Sequence, residues 1–196
     1  MISSILLAAG LSTRMGRPKA LLDWGGVPLI RYQIEQLKGA GADEVIVVLG
    51  YRADEIHRAI RDMPVRVMFN PRYQFGRAGS LRLGAKASNR DAEAIVVLNV
   101  DQPRPASLIR ELLDVHETTA AATVPVSGGH RGHPVVVSGW LRPELLSAED
   151  ETEGLRGILL RHASEVREHP TSDLCLLDIN TPEEYEEALR LFALAR

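Results

Sequence analysis

An α/β fold with a mostly parallel sheet is what this 196-residue sequence predicts, and three observations predict it. Strand-like and helix-like segments alternate through most of the chain, the order that crossover helices impose on parallel strands. Several strand candidates are near-continuous apolar runs, among them residues 44–49 (EVIVVL) and 94–98 (AIVVL), as expected when both sheet faces are covered. Finally, the first apolar run, residues 5–8, passes directly into a loop with Gly10 and Gly16, the hydroxyls of Ser12 and Thr13, and the cations Arg14, Arg17 and Lys19. Bare backbone N–H groups beside fixed positive charge are what a polyphosphate requires.

The elements follow in order. Pro28 suits the first turn of a helix, and Val27, Ile30, Ile34 and Leu37 continue at helical spacing to Gly39 and Gly41. Residues 44–49 read as a buried strand, 54–61 as a short helix and 65–69 as a strand. Asn70-Pro71 breaks the chain, and a helix begins near Gly79-Ser80. Residues 94–98 form a central strand that delivers Asn99, Val100 and Asp101 at its end, and Pro105 opens a helix with Leu108, Ile109, Leu112 and Leu113. Residues 120–126 and 135–137 are strands bracketing a glycine-containing piece, 127–133. A helix over 155–162 precedes a last strand at 174–179. The closing helix has a capping box, Thr181-x-x-Glu184, with Pro182 at its first turn. The length and the lack of a linker, repeat or low-complexity tract predict one domain over residues 1–196.

Composition narrows the function. A net charge of −3 offers no large basic surface for nucleic acid and no Lys/Arg block for a membrane face. The N-terminal residues lack a basic segment and run straight into the loop, so no signal peptide is expected, and no apolar stretch approaches a membrane span. A soluble cytoplasmic protein is the expectation. The single cysteine, Cys175, lies in an apolar run and reads as a buried strand residue rather than a nucleophile. No Ser-His-Asp order or nucleophile elbow is evident.

The loop is neither a Walker A loop nor a dinucleotide fingerprint, because its glycines have the wrong spacing and no Lys-Ser or Lys-Thr follows Gly16. A triphosphate loop of another kind fits better. In open α/β sheets ligands sit beyond the carboxyl ends of the strands, where this loop, Asp101 and the Asp178–Asn180 segment all fall. Phosphoryl chemistry needs in-line positioning and charge neutralisation by Mg²⁺ and Arg or Lys. Asp101 is placed to be a metal carboxylate, with a turn cap before Pro105 as the plainer role. Gly79 and Ser80 could read a base edge or ribose from a helix start, or serve as an ordinary cap. His130 and His133, with no cysteine or third ligand beside them, make a thin case for zinc.

The string L-A-A-G-x-S-x-R-M-G-x-x-K-x-L-L over residues 7–22 resembles the opening motif of the MobA-like nucleotidyltransferases, and within them most resembles the molybdenum cofactor cytidylyltransferases. Further pieces are similar: Asp101-Gln102-Pro103, Asn70-Pro71-Arg72-Tyr73 through Ser80-Leu81, Arg131-Gly132-His133-Pro134, and Asp178-Ile179-Asn180-Thr181-Pro182-Glu183. The acidic run before Gly154-Leu155-Arg156 resembles a family helix start, with a structural role as its default.

The resemblance implies a Rossmann-like three-layer α/β/α sandwich of the nucleotide-diphospho-sugar transferase type. It implies Mg²⁺-dependent transfer from a nucleoside triphosphate to a phosphate acceptor, with CTP and the molybdopterin cofactor first among the choices. Arg14, Lys19 and Asp101 would carry catalysis. Leu7, Ala8, Ala9, Gly10, Ser12, Asn70, Gly79 and Ser80 would hold the nucleotide with them, Ala9 tilting the choice of base toward cytosine. Gln102, Arg131 and His133 would meet the acceptor, and Asp101 and Asn180 the metal. Asn180 departs from the family pattern, which has a second aspartate there; Asp178 stays available. Another triphosphate, a sugar-1-phosphate or phosphocholine acceptor, a glycosyltransferase, and a non-catalytic nucleotide-binding partner of a molybdoenzyme are the competing readings.

Overall fold

The computed structural model describes residues 1–12 and 15–194. Its strands are β1 (Ile2–Ala8), β2 (Glu44–Leu49), β3 (Arg66–Phe69), β4 (Ala94–Asn99), β5 (Ala122–Ser127), β6 (His130–Arg131), β7 (Val135–Ser138) and β8 (Val166–Pro170). Its helices are α1 (Leu29–Gly39), α2 (Ala53–Ile60), α3 (Ala78–Ala87), α4 (Ala106–Asp114), α5 (Arg142–Leu146), α6 (Gly154–Arg161) and α7 (Pro182–Leu194). The described strands form one sheet in the order β3-β2-β1-β4-β7-β5-β6, with β8 also paired to β5.

Strand alternation splits the core into two layers. Leu6, Val47 and Leu98 face α1, α2 and α4 through Ile34, Ile56 and Leu112. Their neighbours Ile5, Ile46 and Val97 face α3, α5 and α6 through Leu81, Leu145 and Ile158. Each fully buried Leu, Ile or Val contributes roughly 1.5–3 kcal/mol. The result is a Rossmann-like three-layer α/β/α sandwich, as the sequence predicts. A third cluster seats Tyr185, Ala188 and Phe192 of α7 on Leu22, Trp24 and Leu29. Trp24 meets Phe192 edge-on at 5.0 Å. This packing fastens the end of the chain beneath the glycine loop.

The parallel character is uneven. β1 is parallel to β2 and β4, and β2 to β3. Beyond β4 the sheet turns mixed: β7 is antiparallel to both β4 and β5, β6 is antiparallel to β5, and β8 is parallel to β5.

One expected element is wrong. Residues 174–179 are not a strand; a 3-10 turn at Asp173–Leu176 starts them and the rest lies outside the sheet. Their carbonyls find a side chain instead of a ladder, because the Arg104 guanidinium takes those of Cys175 and Leu177. The real last strand, β8, has a mostly polar sequence, VREHP, and an exposed outer face, so it carries no apolar run to betray it. Among the described residues, no helix is long and apolar enough to cross a membrane.

Candidate active site

The cleft opens where β1 and β4 end side by side. Leu7 pairs with Asn99 in register, and the Val100 N–H donates to the Leu7 carbonyl at 2.9 Å. Residues 8–10 and 99–101 therefore leave the sheet together, at its carboxyl edge. Of the predicted nucleotide contacts, Leu7, Ala8, Ala9, Gly10, Ser12, Lys19, Ser80 and Asp101 all line one cleft. Gly79 is absent from its lining, and Asn70 acts from behind it. The predicted contribution of Arg14 lies outside the described residues, as does that of Thr13.

Lys19 is the hub. Pro18 starts a 3-10 turn, Lys19–Leu21, whose Ala20 is buried. The Lys19 backbone N–H donates to Ser12 Oγ at 3.1 Å, fixing the turn against the glycine loop. Its side chain is only 13% exposed, and the ammonium lies 2.8 Å from Asp101 Oδ2 and 3.0 Å from Asn180 Oδ1. Asn180 is held there by α7: the Glu184 carboxylate accepts from the Asn180 and Thr181 N–H groups, and Thr181 Oγ1 accepts from the Glu184 N–H. The capping box expected from sequence thus positions a residue of the site. The Ile179 N–H donates to the Asp101 carbonyl at 2.8 Å, joining the two backbones as well.

The opposite wall comes from α3, which begins at Ala78, just before the expected start. Its first N–H groups are already taken. Asp150 Oδ1 accepts from Arg77 N and Ala78 N at 2.8 and 3.0 Å. Gly76, at φ +122°, makes room for that carboxylate, since a Cβ there would lie 2.3 Å from it. Ser80 is buried and accepts from Asn70 Nδ2 at 2.9 Å, while Asn70 Oδ1 takes the Arg72 N–H. Ser80 is therefore not a helix cap; it keeps its own proton to donate. Tyr73 and the exposed Arg77, which the sequence reading did not select, also line the cleft.

On the other flank the residues expected to meet the acceptor have partners and surroundings within the protein. Arg131 is exposed on β6, paired with Glu168 at 2.7 Å, and does not line the cleft. Gln102 is buried, and its Oε1 accepts from Asn99 Nδ2 at 2.9 Å, an internal role in the turn after β4. His133 is held down to a pKa of about 4, first by burial and then by the Arg104 charge. It is neutral at physiological pH and does not anchor an anion by charge. Its Nδ1 is buried without a partner among the described residues.

The residue that organises this flank is Arg104, which sequence reasoning missed. It is fully buried. It donates to the carbonyls of Pro103, His133, Cys175 and Leu177 at 2.6–2.8 Å, and Asp178 lies 3.8 Å away. Burial lowers its pKa to about 10, so it stays charged. Gln33 of α1 supports the same turn, donating to the Gln102 carbonyl and accepting the Arg104 N–H. An arginine between two prolines reads as solvated, and no sequence signal separates it from that. Asp178 turns toward Arg104 rather than Lys19, and desolvation raises its pKa.

Among the described residues, no three His, Cys, Asp or Glu side chains gather as a metal site. The donor set still suits a hard cation: the Asp101 carboxylate and the Asn180 amide oxygen already converge on one cation, the Lys19 ammonium. One carboxylate with a neutral oxygen matches an ion that takes its other ligands from phosphates and water.

Comparison with known proteins gives the family. Residues 4–166 match the family model of the MobA-like NTP transferase domain. The chain belongs to that family, and its architecture is the nucleotidyltransferase fold. It is 31% identical over 166 residues to nicotine blue oxidoreductase of Paenarthrobacter nicotinovorans, covering 81% of each chain. It is 28% identical over 188 residues to the molybdenum cofactor cytidylyltransferase of Escherichia coli K12, covering 94% of this chain and 93% of that one. The crystal structure of Rv0371c from Mycobacterium tuberculosis H37Rv in complex with manganese superposes with a TM-score of 0.80 at 26% identity, over 96% of this chain and 98% of that one.

Proposed function

We propose that the chain is a Mg²⁺-dependent nucleotidyltransferase that joins CTP to the terminal phosphate of the molybdopterin cofactor and releases pyrophosphate. The observation that carries this reading is the convergence of Lys19, Asp101 and Asn180 beneath a glycine loop at the strand ends. Similarity to the Escherichia coli cytidylyltransferase along nearly the whole chain supports the choice of substrates, and the manganese complex of a related structure supports a divalent ion.

In this mechanism Asp101 and Asn180 would hold the ion, which would supply positive charge to offset that of the phosphates. An acceptor phosphate oxygen attacks the α-phosphorus; the new O–P bond forms as the α–β bridging bond breaks, and the electron pair leaves with pyrophosphate. The acceptor is already mostly dianionic at neutral pH, its second pKa being near 6, so no strong general base is needed. Lys19 neutralises charge that grows in the transition state. The loop backbone at residues 8–10 receives the nucleotide, and the Ser80 hydroxyl, with its acceptor side engaged by Asn70, donates to it.

The test is pyrophosphate release with Mg²⁺ and molybdenum-charged molybdopterin, offering CTP, GTP, ATP and UTP in parallel, with Asp101→Ala as control. Release with CTP alone is expected. Similarity to an oxidoreductase favours a second reading, since one fold hosts different chemistries. A change in the redox state of nicotine blue, and no pyrophosphate release with any triphosphate, would replace the first reading with it.

A further inference from the structure

We propose that Lys19 is a cation plug: in the free protein its ammonium holds the place of the divalent ion between Asp101 and Asn180, so the metal enters only with a triphosphate that draws Lys19 away. This rests on the nucleotidyltransferase reading above.

The geometry carries the idea. The two oxygens that suit a hard cation are the same two that the ammonium touches, at 2.8 and 3.0 Å. A divalent ion bound to both would sit within contact distance of that ammonium, and like charges so close in a partly desolvated cleft repel strongly. Lys19 is largely shielded from water and Asp101 partly so, at 13% and 28% exposure. Charge balance points the same way. One ammonium against one carboxylate leaves the pair neutral, and Asn180 adds no charge. An incoming ion therefore meets no net attraction.

The plug can be withdrawn without moving the backbone. The Lys19 N–H is fixed to Ser12 Oγ and its turn is seated by buried Ala20, while the four-carbon side chain has rotatable bonds of its own. Gly10 and Ser12, beside which a triphosphate would lie, share the cleft with Lys19. A short swing of Nζ toward phosphate oxygens would exchange Asp101 for a new anionic partner and uncover both metal oxygens. Asn180 eases this exchange, since a carboxylate there would grip the ammonium from two sides.

The experiment is a nucleotide-free Mn²⁺ titration followed by electron paramagnetic resonance of the free ion. It compares wild type, Lys19→Met, Lys19→Arg and Lys19→Met/Asp101→Asn. Removing the charge should tighten Mn²⁺ binding about tenfold or more. Lys19→Arg should bind as weakly as wild type, and the double variant should lose the gain. Adding α,β-methylene-CTP to wild type should tighten Mn²⁺ binding. Lys19→Gln, run in parallel, covers a folding defect of the Met variant. Natively folded Lys19→Met or Lys19→Gln that binds Mn²⁺ no better than wild type overturns the plug. Wild-type pyrophosphate release, measured separately, keeps the two ideas apart. Turnover with unchanged Mn²⁺ affinity in the variants refutes the plug alone, whereas tighter Mn²⁺ binding without any turnover supports the plug and refutes the transferase.

Discussion

The half of the sheet made by β3, β2, β1 and β4 and the half made by β7, β5, β6 and β8 supply the cleft by different means. In the first half the strands are parallel, β1, β2 and β4 are largely buried on both faces, and the ends of β1 and β4 present backbone and short side chains: Ala8, Ala9, Gly10, Val100. In the second half the pairing is mixed, and the chain between and after those strands is gathered by one buried guanidinium on three of its carbonyls, those of His133, Cys175 and Leu177. Ladders pair the backbone of both sets of strands. What differs is the irregular chain around the second half, which a single side chain ties down. Substitutions at the ligand-binding edge of the first half should therefore change chemistry with little change in stability, while Arg104 should govern both.

The largest effect tests the first half. Asp101→Ala removes a partly exposed carboxylate whose partners are Lys19 and, in the proposed complex, the metal. Turnover should fall about 10²–10³-fold or more, with a thermal melt near that of wild type. Near-normal pyrophosphate release would remove Asp101 from the chemistry. The second effect tests the other half. Arg104→Met takes their side-chain donor from the carbonyls of Pro103, His133 and Leu177, while that of Cys175 keeps the His133 N–H, and should cost about 3–5 kcal/mol in chemical denaturation. Arg104→Lys should recover only part of this, because an ammonium cannot reproduce the planar fork. If Arg104→Met were as stable as wild type, the distinction between the two halves would fail.

The same contrast explains what the sequence disclosed. Apolar runs and strand-end position revealed β1, β2 and β4 and most of the cleft wall, since burial on both faces writes itself into composition. The Thr181-Glu184 box was equally legible, because its spacing is its mechanism. The second half was not. The apolar run at 174–179 looks like a strand, yet the carbonyls of Cys175 and Leu177 bond to Arg104, 71 and 73 positions earlier. β8 looks like a loop, yet the ladder with β5 tolerates polar side chains on an exposed face. On α1 the apolar stripe was visible, while the two amides that hold the Asp101–Ala106 segment, Gln33 and Gln36, looked like surface. Arg131 and His133 sat in a recognisable motif, but only the fold shows one paired with Glu168 and the other desolvated and neutral.

A smaller effect probes the strap that joins the halves. Thr181→Ala removes the hydroxyl that accepts the Glu184 N–H and should cost about 1 kcal/mol. Because the box also sets Asn180 beside Lys19, the KM for the metal–nucleotide complex should rise as well. A stability loss with unchanged KM would show that Asn180 is positioned without the cap.

The smallest effect lies on the helical layer covering the second half. His162 sits between Glu144 and Glu165, with its ring nitrogens 2.6 and 2.8 Å from their carboxylates, and Arg161 shares Glu144. Hydrogen bonds to the two carboxylates raise the His162 pKa above its ordinary value, while Glu144 is lowered. The protonated ring thus clips α5 to the end of α6. Its stabilisation is fully present below the unfolded histidine pKa, near 6.5, provided the carboxylates stay ionised. It is lost as pH rises through the folded value, because native protein then releases the proton that made the clip. Wild type should melt about 1–2 °C above His162→Gln at pH 6, and the gap should close by pH 9. A gap that widened with pH would mean that packing of the ring against Trp140, 5.5 Å away, rather than its charge, holds this layer in place.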